Sequence, residues 1–243
     1  MDFAKTYTDY CIQAFSMAYQ KNKEPIQKAA QLCYEATIHD HTLYTFGTGH
    51  SHMLGQDLYA RAGGYAKIYP IVEIELTLAT HPTKSTTIER TAAYADVLEH
   101  LYDVKEGDVV FFASNSGRNA LVVEYAYRLK AKGVKIIAIT SMKHSSQIAS
   151  RHASSKRLFE LADIVLDNMA PYGDAGIEID PNHRMGPIST LTGCYLSQCI
   201  MGAFVDLLIQ NKKDAPVFRS SNADGADAYN KELFETYVIQ KRR

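Results

Sequence analysis

From residue 42 onward, short apolar runs alternate with longer amphipathic segments, and this alternation limits the possible fold more than any other feature. The runs are rich in β-branched and aromatic residues and end at turn residues, which is typical of strands buried on both faces. Five strands are predicted, at residues 42–46, 66–72, 109–113, 135–140 and 163–166. Because helices separate them, we expect parallel pairing with right-handed crossovers, which places helices on both faces of an α/β sheet.

Helical periodicity covers the segments before and between these strands. The first forty residues predict two helices, because Asn22-Lys23-Glu24-Pro25 interrupts the apolar spacing and Pro25 suits the first turn of a second helix. Further helices are expected at residues 53–61, 88–102, 119–132 and 188–210. We therefore predict N-terminal helices at residues 1–40 that pack on an α/β domain at 41–211, followed by a C-terminal loop and helix at 212–243.

Composition excludes several classes of protein. The chain has 26 basic and 27 acidic residues, and this balance argues against nucleic acid as a partner. Its four cysteines show no C-x-x-C spacing, which indicates buried thiols in a reducing compartment. We see no signal peptide, and the longest apolar run, Gly193–Ile209, is short for a membrane span and contains Gln198 and Asp206. A cytoplasmic protein without a membrane partner is expected.

The first polar loop is Gly47-Thr48-Gly49-His50-Ser51-His52, between a strand and a helix. Glycines allow a tight turn and a close approach of backbone to ligand, and Ser51 stands where a helix N-terminus would favour a phosphate. The alternative is that the glycines only make the turn and Ser51 only caps the helix. A dinucleotide-binding loop needs a third glycine where His52 stands, and a nucleotide P-loop needs a Gly-Lys-Ser/Thr that is absent.

The second polar loop is Ser114-Asn115-Ser116-Gly117-Arg118-Asn119, which follows the 109–113 strand and precedes a helix. Hydroxyl groups and N-terminal amides donate to phosphate oxygens, and Arg118 would add charge-assisted bonds. As an alternative, Ser116 or Asn119 is an ordinary helix cap and Arg118 points to solvent. That alternative accounts for one residue and leaves the cluster unexplained, so we predict a phosphate-binding loop.

The two loops are expected to meet. Ligands of open parallel sheets bind beyond the carboxyl ends of the strands, where the strand order reverses. If the order is 2-1-3-4-5, the reversal lies between the first and third strands, which lead into Gly47 and Ser114. Two independent loops would then line one crevice.

These motifs resemble the sugar isomerase (SIS) domain, a phosphosugar-binding family. The resemblance rests on the Ser114–Asn119 loop with its helix and on the 135–140 and 161–166 segments. One branch of this family, related to phosphoheptose isomerase and N-acetylmuramic acid 6-phosphate etherase, is resembled more closely. That resemblance rests on the GTGHSHM loop at 47–53, on Ala62-Gly63-Gly64, and on the stretch from Ser150-Arg151-His152 to Asn168. The resemblance implies a three-layer α/β/α sandwich with a five-stranded parallel sheet, commonly a homodimer or homotetramer.

The resemblance also implies ligand residues. Ser51, Ser114, Ser116 and Asn119 would contact the phosphate and the sugar, and Ser189-Thr190, at a helix start after Gly186-Pro187, would add a third hydroxyl contact. The full set of predicted sugar-phosphate-binding residues is Gly49, His50, Ser51, Ser114, Asn115, Ser116, Gly117, Arg118, Asn119, Ser189 and Thr190.

Catalysis of aldose–ketose isomerisation needs a base for the proton that moves between adjacent carbons and an acid for the oxygens. The predicted catalytic residues are His52 and Asp57, which begin at the first loop, and Glu178, in a glycine-broken stretch after the last strand. Each of the three is equally explained as a solvated or structural side chain.

A zinc site is an open alternative, since His50, His52 and His183, with Asp57, are ligand types that zinc accepts. In the phosphoheptose isomerases a His and a Glu follow the first loop, and counted from Ser51 their positions hold Asp57 and Arg61. Arginine cannot bind a cation, which argues against that metal site. The etherase uses a glutamate near the Arg61 position, so its activity is not expected either.

One further segment, residues 84–90, contains Ser/Thr capping signals and Glu89-Arg90. We interpret this segment as a helix start. The alternative is that it forms part of the crevice wall of a neighbouring subunit. Three hypotheses for function follow: a sugar-phosphate or amino-sugar-phosphate isomerase that works by acid/base proton transfer, a non-catalytic phosphosugar sensor, and a lyase or hydrolase on the same scaffold.

Overall fold

The computed structural model describes residues 1–239, so residues 240–243, the end of the predicted C-terminal segment, lie outside the described residues. The strands are β1 (Leu43–Gly47), β2 (Ile68–Ile71), β3 (Val109–Ala113), β4 (Lys135–Thr140), β5 (Ile164–Asp167), β6 (Ala175–Asp180) and β7 (His183–Pro187). The α-helices are α1 (Phe3–Ile38), α2 (Met53–Leu58), α3 (Pro82–Ile88), α4 (Tyr94–Leu101), α5 (Ala120–Ala131), α6 (Met142–Ser145), α7 (Leu158–Leu161), α8 (Ser189–Gln210) and α9 (Ala226–Leu233). Single 3-10 turns span Gly49–His52 and Ile74–Leu76, and a π-helical segment, Phe234–Ile239, continues α9.

The main sheet has five parallel strands in the order β2-β1-β3-β4-β5. This confirms the predicted α/β class, the strand count and the order 2-1-3-4-5. β1 pairs directly with β3, with Gly47 opposite Ala113, so the two polar loops leave neighbouring strands at the same edge.

Helices cover both faces of this sheet, and alternate residues of each strand enter different cores. In β3, Phe111 packs on the face covered by α1, α2 and α8, whereas Phe112 packs on the face covered by α4, α5 and α7. All five residues of β1 and all five of β3 are buried, which explains why their sequences are almost continuously apolar.

The N-terminus forms one 36-residue helix rather than the two predicted helices, with Pro25 inside it. Tertiary contacts override the break, because the side chain of Asn22 is buried against β5. Its Nδ2 donates to the carbonyls of Ala18, at 2.7 Å, and Asp167, at 2.8 Å, and its Oδ1 accepts from the Asp167 amide at 2.9 Å. Asn22, which was predicted to lie in a break between two helices, therefore binds α1 to β5, the last strand of the sheet.

Replacing Asn22 with alanine is expected to lower the free energy of unfolding by about 2–3 kcal/mol, because it leaves the buried polar groups of Asp167 without partners. Thermal and urea melts measure the loss, which corresponds to roughly 4–12 °C in Tm for a chain of this size. Gln27→Ala, at an exposed position of the same helix, is the control. Equal melting of the two variants would show that the Asn22 bonds contribute nothing to stability.

Two further helix predictions differ from the structure. The helix expected at 53–61 ends at Leu58, since Gly63 donates its amide to Phe218 and ties this segment to the C-terminal region. The helix expected at 88–102 begins only at Tyr94, as α4, and α3 ends at Ile88. The chain between them is not helical, and there the carbonyl of Glu89 accepts the amide of Leu121, in the first turn of α5.

Residues 175–187 form an antiparallel hairpin, β6–β7, where a loop was predicted. α8 follows it and is the one helix of residues 1–239 long and apolar enough to cross a membrane by length and composition. Here its side chains Leu196, Ile200 and Phe204 are buried in the core between α1 and the sheet.

Candidate functional site

A small cleft, with a cavity volume of about 10 Å³, opens at the carboxyl ends of the parallel strands. It is lined by Ser51, Leu54, Ala113, Ser114, Asn115, Ile139, Asn168, Ser189 and Thr190. Three of these residues are apolar, and the other six have hydroxyl or carboxamide side chains. These polar residues come from the loops after β1, β3 and β5 and from the first turn of α8, so segments distant in sequence converge on one small volume.

The loop after β1 turns sharply enough to place Ser51 over the end of its own strand. The Ser51 amide donates to the Thr48 carbonyl at 3.1 Å, which closes the 3-10 turn. A Cβ on Gly47 would lie 2.6 Å from the Ser51 carbonyl oxygen, so only glycine allows this turn. Ser51 thereby lies where the chain enters α2, as predicted.

The loop after β3 is held by its own polar groups. Ser114 is 8% exposed, and its Oγ accepts the Gly117 amide at 3.2 Å. Gly117 has φ +58°, and a Cβ there would approach the Ser145 Oγ at 2.9 Å, so the backbone passes too closely for any other residue. The Ser114 hydroxyl keeps its proton available to donate into the cleft.

Asn115 and Asn168 form a carboxamide pair at the cleft. The Asn168 Nδ2 donates to the Asn115 Oδ1 at 3.1 Å, and the Asn168 Oδ1 accepts the Ala170 amide at 3.0 Å. The Asn115 carbonyl in turn accepts the Ser141 amide. Both side chains are therefore fixed in orientation, and the Asn115 Nδ2 is left able to donate to a ligand. Asn168 was not among the predicted ligands.

Ser189 and Thr190 line the cleft at the start of α8, where a third hydroxyl contact was predicted. Asp174 organises this end of the helix. Its Oδ1 accepts the amides of Ile188, at 3.0 Å, and Ser189, at 2.8 Å, and its Oδ2 accepts the Ser189 hydroxyl at 2.7 Å. The carboxylate thus satisfies amides that would otherwise be unpaired and complements the helix dipole.

The remaining predicted ligands lie outside the lining of the cleft: Gly49, His50, Ser116, Gly117, Arg118 and Asn119. Asn119 occupies the N-cap position of α5, yet its side chain makes no capping bond. Its Oδ1 instead accepts from Arg151 Nη1 at 2.8 Å. Arg118 does not point freely to solvent, because its Nε is buried and has no hydrogen-bond partner among the described residues.

None of the three predicted catalytic residues lines the cleft. The Asp57 carboxylate pairs with Arg61 and accepts from Gln198 at 2.8 Å. The His52 ring contacts the Gly49 carbonyl of its own turn. Glu178 lies on the β6–β7 hairpin with its side chain 62% exposed, paired with Arg184 at 2.9 Å.

The described residues do not fit the zinc hypothesis. Residues 1–239 contain no group of three or more His, Cys, Asp or Glu side chains arranged to hold a metal ion. His50 is exposed beside the first loop, and His183 is on the hairpin, where its Nδ1 pairs with Asp180 at 2.8 Å. The predicted ligands therefore do not converge.

Glu89 joins the two loops, a role that the sequence did not reveal. Its Oε2 accepts the Thr48 hydroxyl at 2.8 Å in the first loop, and its carbonyl accepts the Leu121 amide at 3.1 Å beyond the second. Burial raises the pKa of the Glu89 carboxyl group, although the Thr48 bond and the charges of Arg90 and Arg151 oppose the rise. Buried carboxyl groups with raised pKa are typical of sites that transfer protons.

Comparison with known proteins agrees with this architecture. The SIS domain family matches residues 6–141. A UPF0309 protein of Halalkalibacterium halodurans is 43% identical over 237 residues, covering 96% of this chain and 98% of its own. The chain belongs to the SIS-domain family, and it is similar over nearly its whole length to UPF0309 proteins within it.

Solved structures show the same fold at low identity. The phosphoheptose isomerase of Neisseria gonorrhoeae aligns with a TM-score of 0.53 at 20% identity, over 83% of this chain and 98% of its own. The NanR protein of Vibrio vulnificus, complexed with ManNAc-6P, aligns with a TM-score of 0.53 at 14% identity, over 98% of this chain and 70% of its own.

Proposed function

We propose that the cleft binds the phosphate group of a sugar phosphate and that the protein is a sugar-phosphate or amino-sugar-phosphate isomerase. The observation that carries this proposal is the convergence of Ser51, Ser114, Ser189 and Thr190 on one small cleft at the carboxyl edge of the sheet. Clustered hydroxyl donors near a helix start suit a phosphate, which offers only acceptors at neutral pH. Membership in the SIS family and the fold shared with a phosphoheptose isomerase and with a protein complexed with ManNAc-6P support the same ligand class.

Proton transfer in this proposal is assigned to Glu89. Isomerisation requires a base that removes a proton from one carbon and returns it to the neighbour. His52, Asp57 and Glu178 are bound to other partners and lie outside the cleft lining. Glu89 also lies outside that lining, but it links the first loop to the start of α5, directly after the second loop, and burial raises its pKa. The Thr48 hydroxyl, in the first loop, donates to the Glu89 carboxylate and orients it.

The second candidate function is a non-catalytic phosphosugar sensor. One observation favours it, namely that none of the nine residues lining the cleft carries an ionisable side chain. A sensor needs only the binding groups, so the two proposals differ in what happens to a bound sugar. In either case assembly as a homodimer or homotetramer and a cytoplasmic location stay predictions.

A panel of aldose and ketose phosphates with five to seven carbons tests both proposals. We expect at least one to raise Tm at millimolar concentration, because a ligand that binds only the folded state stabilises it by mass action. Incubation of that ligand in deuterated water then separates the functions. Deuterium at the carbon next to the carbonyl indicates an isomerase, and binding without exchange indicates a sensor. If no sugar phosphate in the panel shifts Tm, the binding proposal is wrong.

A further inference from the structure

Three arginine side chains come from separate segments to the N-terminal end of α5. Arg118 belongs to the second loop, two residues before the helix begins. The Arg151 amide donates to the Arg118 carbonyl at 2.9 Å, and its Nη1 reaches Asn119 at 2.8 Å. Arg90 follows Glu89, whose carbonyl is bonded to Leu121. We call Arg90, Arg118 and Arg151 the arginine cluster.

The arginine cluster differs from most other arginines of residues 1–239 in lacking carboxylate partners. Eight arginines lie within residues 1–239. Arg61, Arg128, Arg157 and Arg184 each form an ion pair with an Asp or Glu. Arg219 forms none, but its guanidinium stacks over the Tyr229 ring at 4.2 Å. The three members of the cluster are the others, and none of them forms an ion pair with a carboxylate of the described residues.

The cluster concentrates positive charge that Glu89 offsets only in part and that no ion pair of the described residues neutralises. Partial burial and the charges of Arg118 and Arg90 lower the pKa of Arg151, and burial and Arg118 lower the pKa of His144. Glu89 is the nearby carboxyl group, but its own hydrogen bond goes to Thr48. The buried Nε of Arg118 has no partner among the described residues, and the start of α5 adds the positive end of a helix dipole.

This charge exceeds what one phosphate requires. The cleft already offers hydroxyl groups on Ser51, Ser114 and Thr190 to the phosphate. Arginine forks match planar and tetrahedral oxyanions through paired N–H donors. Because the second loop contributes both Ser114 to the cleft and Arg118 to the cluster, a ligand that fills the cleft extends naturally toward the cluster.

We propose that the arginine cluster binds a second anionic group of the substrate, so that the protein acts on sugar phosphates that carry a carboxylate or a second phosphate. This inference rests on the proposed function and specifies its substrate class. The phosphate occupies the cleft, the sugar lies across the second loop, and the second anion is held by Arg90, Arg118 and Arg151.

Titration calorimetry with matched pairs of ligands tests the proposal. The members of each pair differ at the second anion: sorbitol 6-phosphate with 6-phosphogluconate, both open-chain, for the carboxylate, and fructose 6-phosphate with fructose 1,6-bisphosphate for the phosphate. We expect the doubly anionic member of at least one pair to bind about tenfold more tightly, as one charge-assisted hydrogen bond provides. The preference is expected to shrink as salt is raised. Which pair shows it identifies the anion.

Variants assign the preference to the cluster. Arg90→Gln and Arg151→Gln are expected to bring the affinity ratio of that pair to about one. Arg219→Gln removes an arginine without an ion pair elsewhere and is expected to keep the ratio. Equal affinity within both pairs overturns the substrate class while the phosphosugar proposal stands, whereas absence of binding by all four ligands contradicts the proposed function itself. Dissociation of an oligomer by Arg90→Gln, with an unchanged ratio, would assign the cluster to a subunit contact and overturn the inference.

Discussion

Replacing Ser51 and Ser114 together with alanine is expected to weaken binding of the stabilising sugar phosphate by about a hundredfold or more. Both hydroxyl groups face the cleft, and a hydrogen bond to a charged group contributes about 1.5–3 kcal/mol, or roughly ten- to hundredfold in affinity for each. The ligand-induced rise in Tm measures the loss directly. At millimolar ligand it should disappear.

The effects of the two serine substitutions have to be measured separately, because only the Ser114 side chain also stabilises the fold. The Ser114 Oγ accepts the Gly117 amide, so its removal also leaves that buried donor without a partner. Ser51→Ala keeps this bond, and we expect it to melt like the parent without ligand but to bind less tightly. A double variant at two exposed serines, Ser16→Ala with Ser146→Ala, controls for the loss of hydroxyl groups as such. Unchanged affinity in Ser51→Ala would exclude the first loop from phosphate binding.

The parallel sheet was predictable because each strand is marked by its own short stretch of sequence. β3 and β4 begin and end at the predicted residues, since both are apolar runs bounded by turns. Their burial on both faces follows from the alternation with helices. The strand order was a condition of the prediction that the two loops meet, and the structure has that order and a cleft lined by Ser51 and Ser114.

Features that depend on distant contacts were not predictable. Asn22 and Pro25 have the composition of a break, and only the bonds of Asn22 to Asp167, 145 residues away, show why the helix continues. In the sequence, Glu89 lies in a segment typical of a helix start. Its role was not visible there, because only the fold brings its partners Thr48 and Leu121 next to it. Asn168 lay at the end of a motif but gained a place in the site through its bond to Asn115.

Replacing Glu89 with glutamine is expected to reduce the rate of proton exchange at the sugar carbon by about 10²–10⁴-fold, the usual contribution of a positioned acid/base group. Glutamine keeps an oxygen that can accept the Thr48 hydroxyl but cannot remove a proton. Since the pKa of Glu89 is raised, the parent should lose exchange activity as pH falls through that raised pKa, because the carboxylate is the active form. Deuterium incorporation followed by NMR across the pH range measures both effects.

The pH dependence of stability tests the raised pKa of Glu89 separately from its role in exchange. A pKa raised in the folded state means that the folded protein binds the proton more tightly than the unfolded chain, so the contribution of Glu89 to stability is present at low pH and is lost as pH rises from the ordinary carboxyl pKa through the raised one. Glutamine resembles the protonated form, and Glu89→Gln should therefore melt like the parent near pH 4 and at or above it near pH 7.

Glu99, on α4, serves as a control because its pKa is shifted in the opposite direction to that of Glu89. Burial disfavours its ionised form, but Lys132 and Arg128 outweigh this effect and lower the pKa of Glu99. Its contribution to stability is therefore present above the ordinary carboxyl pKa and is lost as pH falls, so Glu99→Gln should destabilise the protein at pH 7 and leave exchange unchanged. A structural role alone would make Glu89→Gln resemble Glu99→Gln in exchange, that is fully active, because its main-chain carbonyl still accepts the Leu121 amide and its side-chain oxygen still accepts the Thr48 hydroxyl. That pattern would remove Glu89 from the proposed mechanism and return the assignment of the base to the residues that a bound sugar contacts.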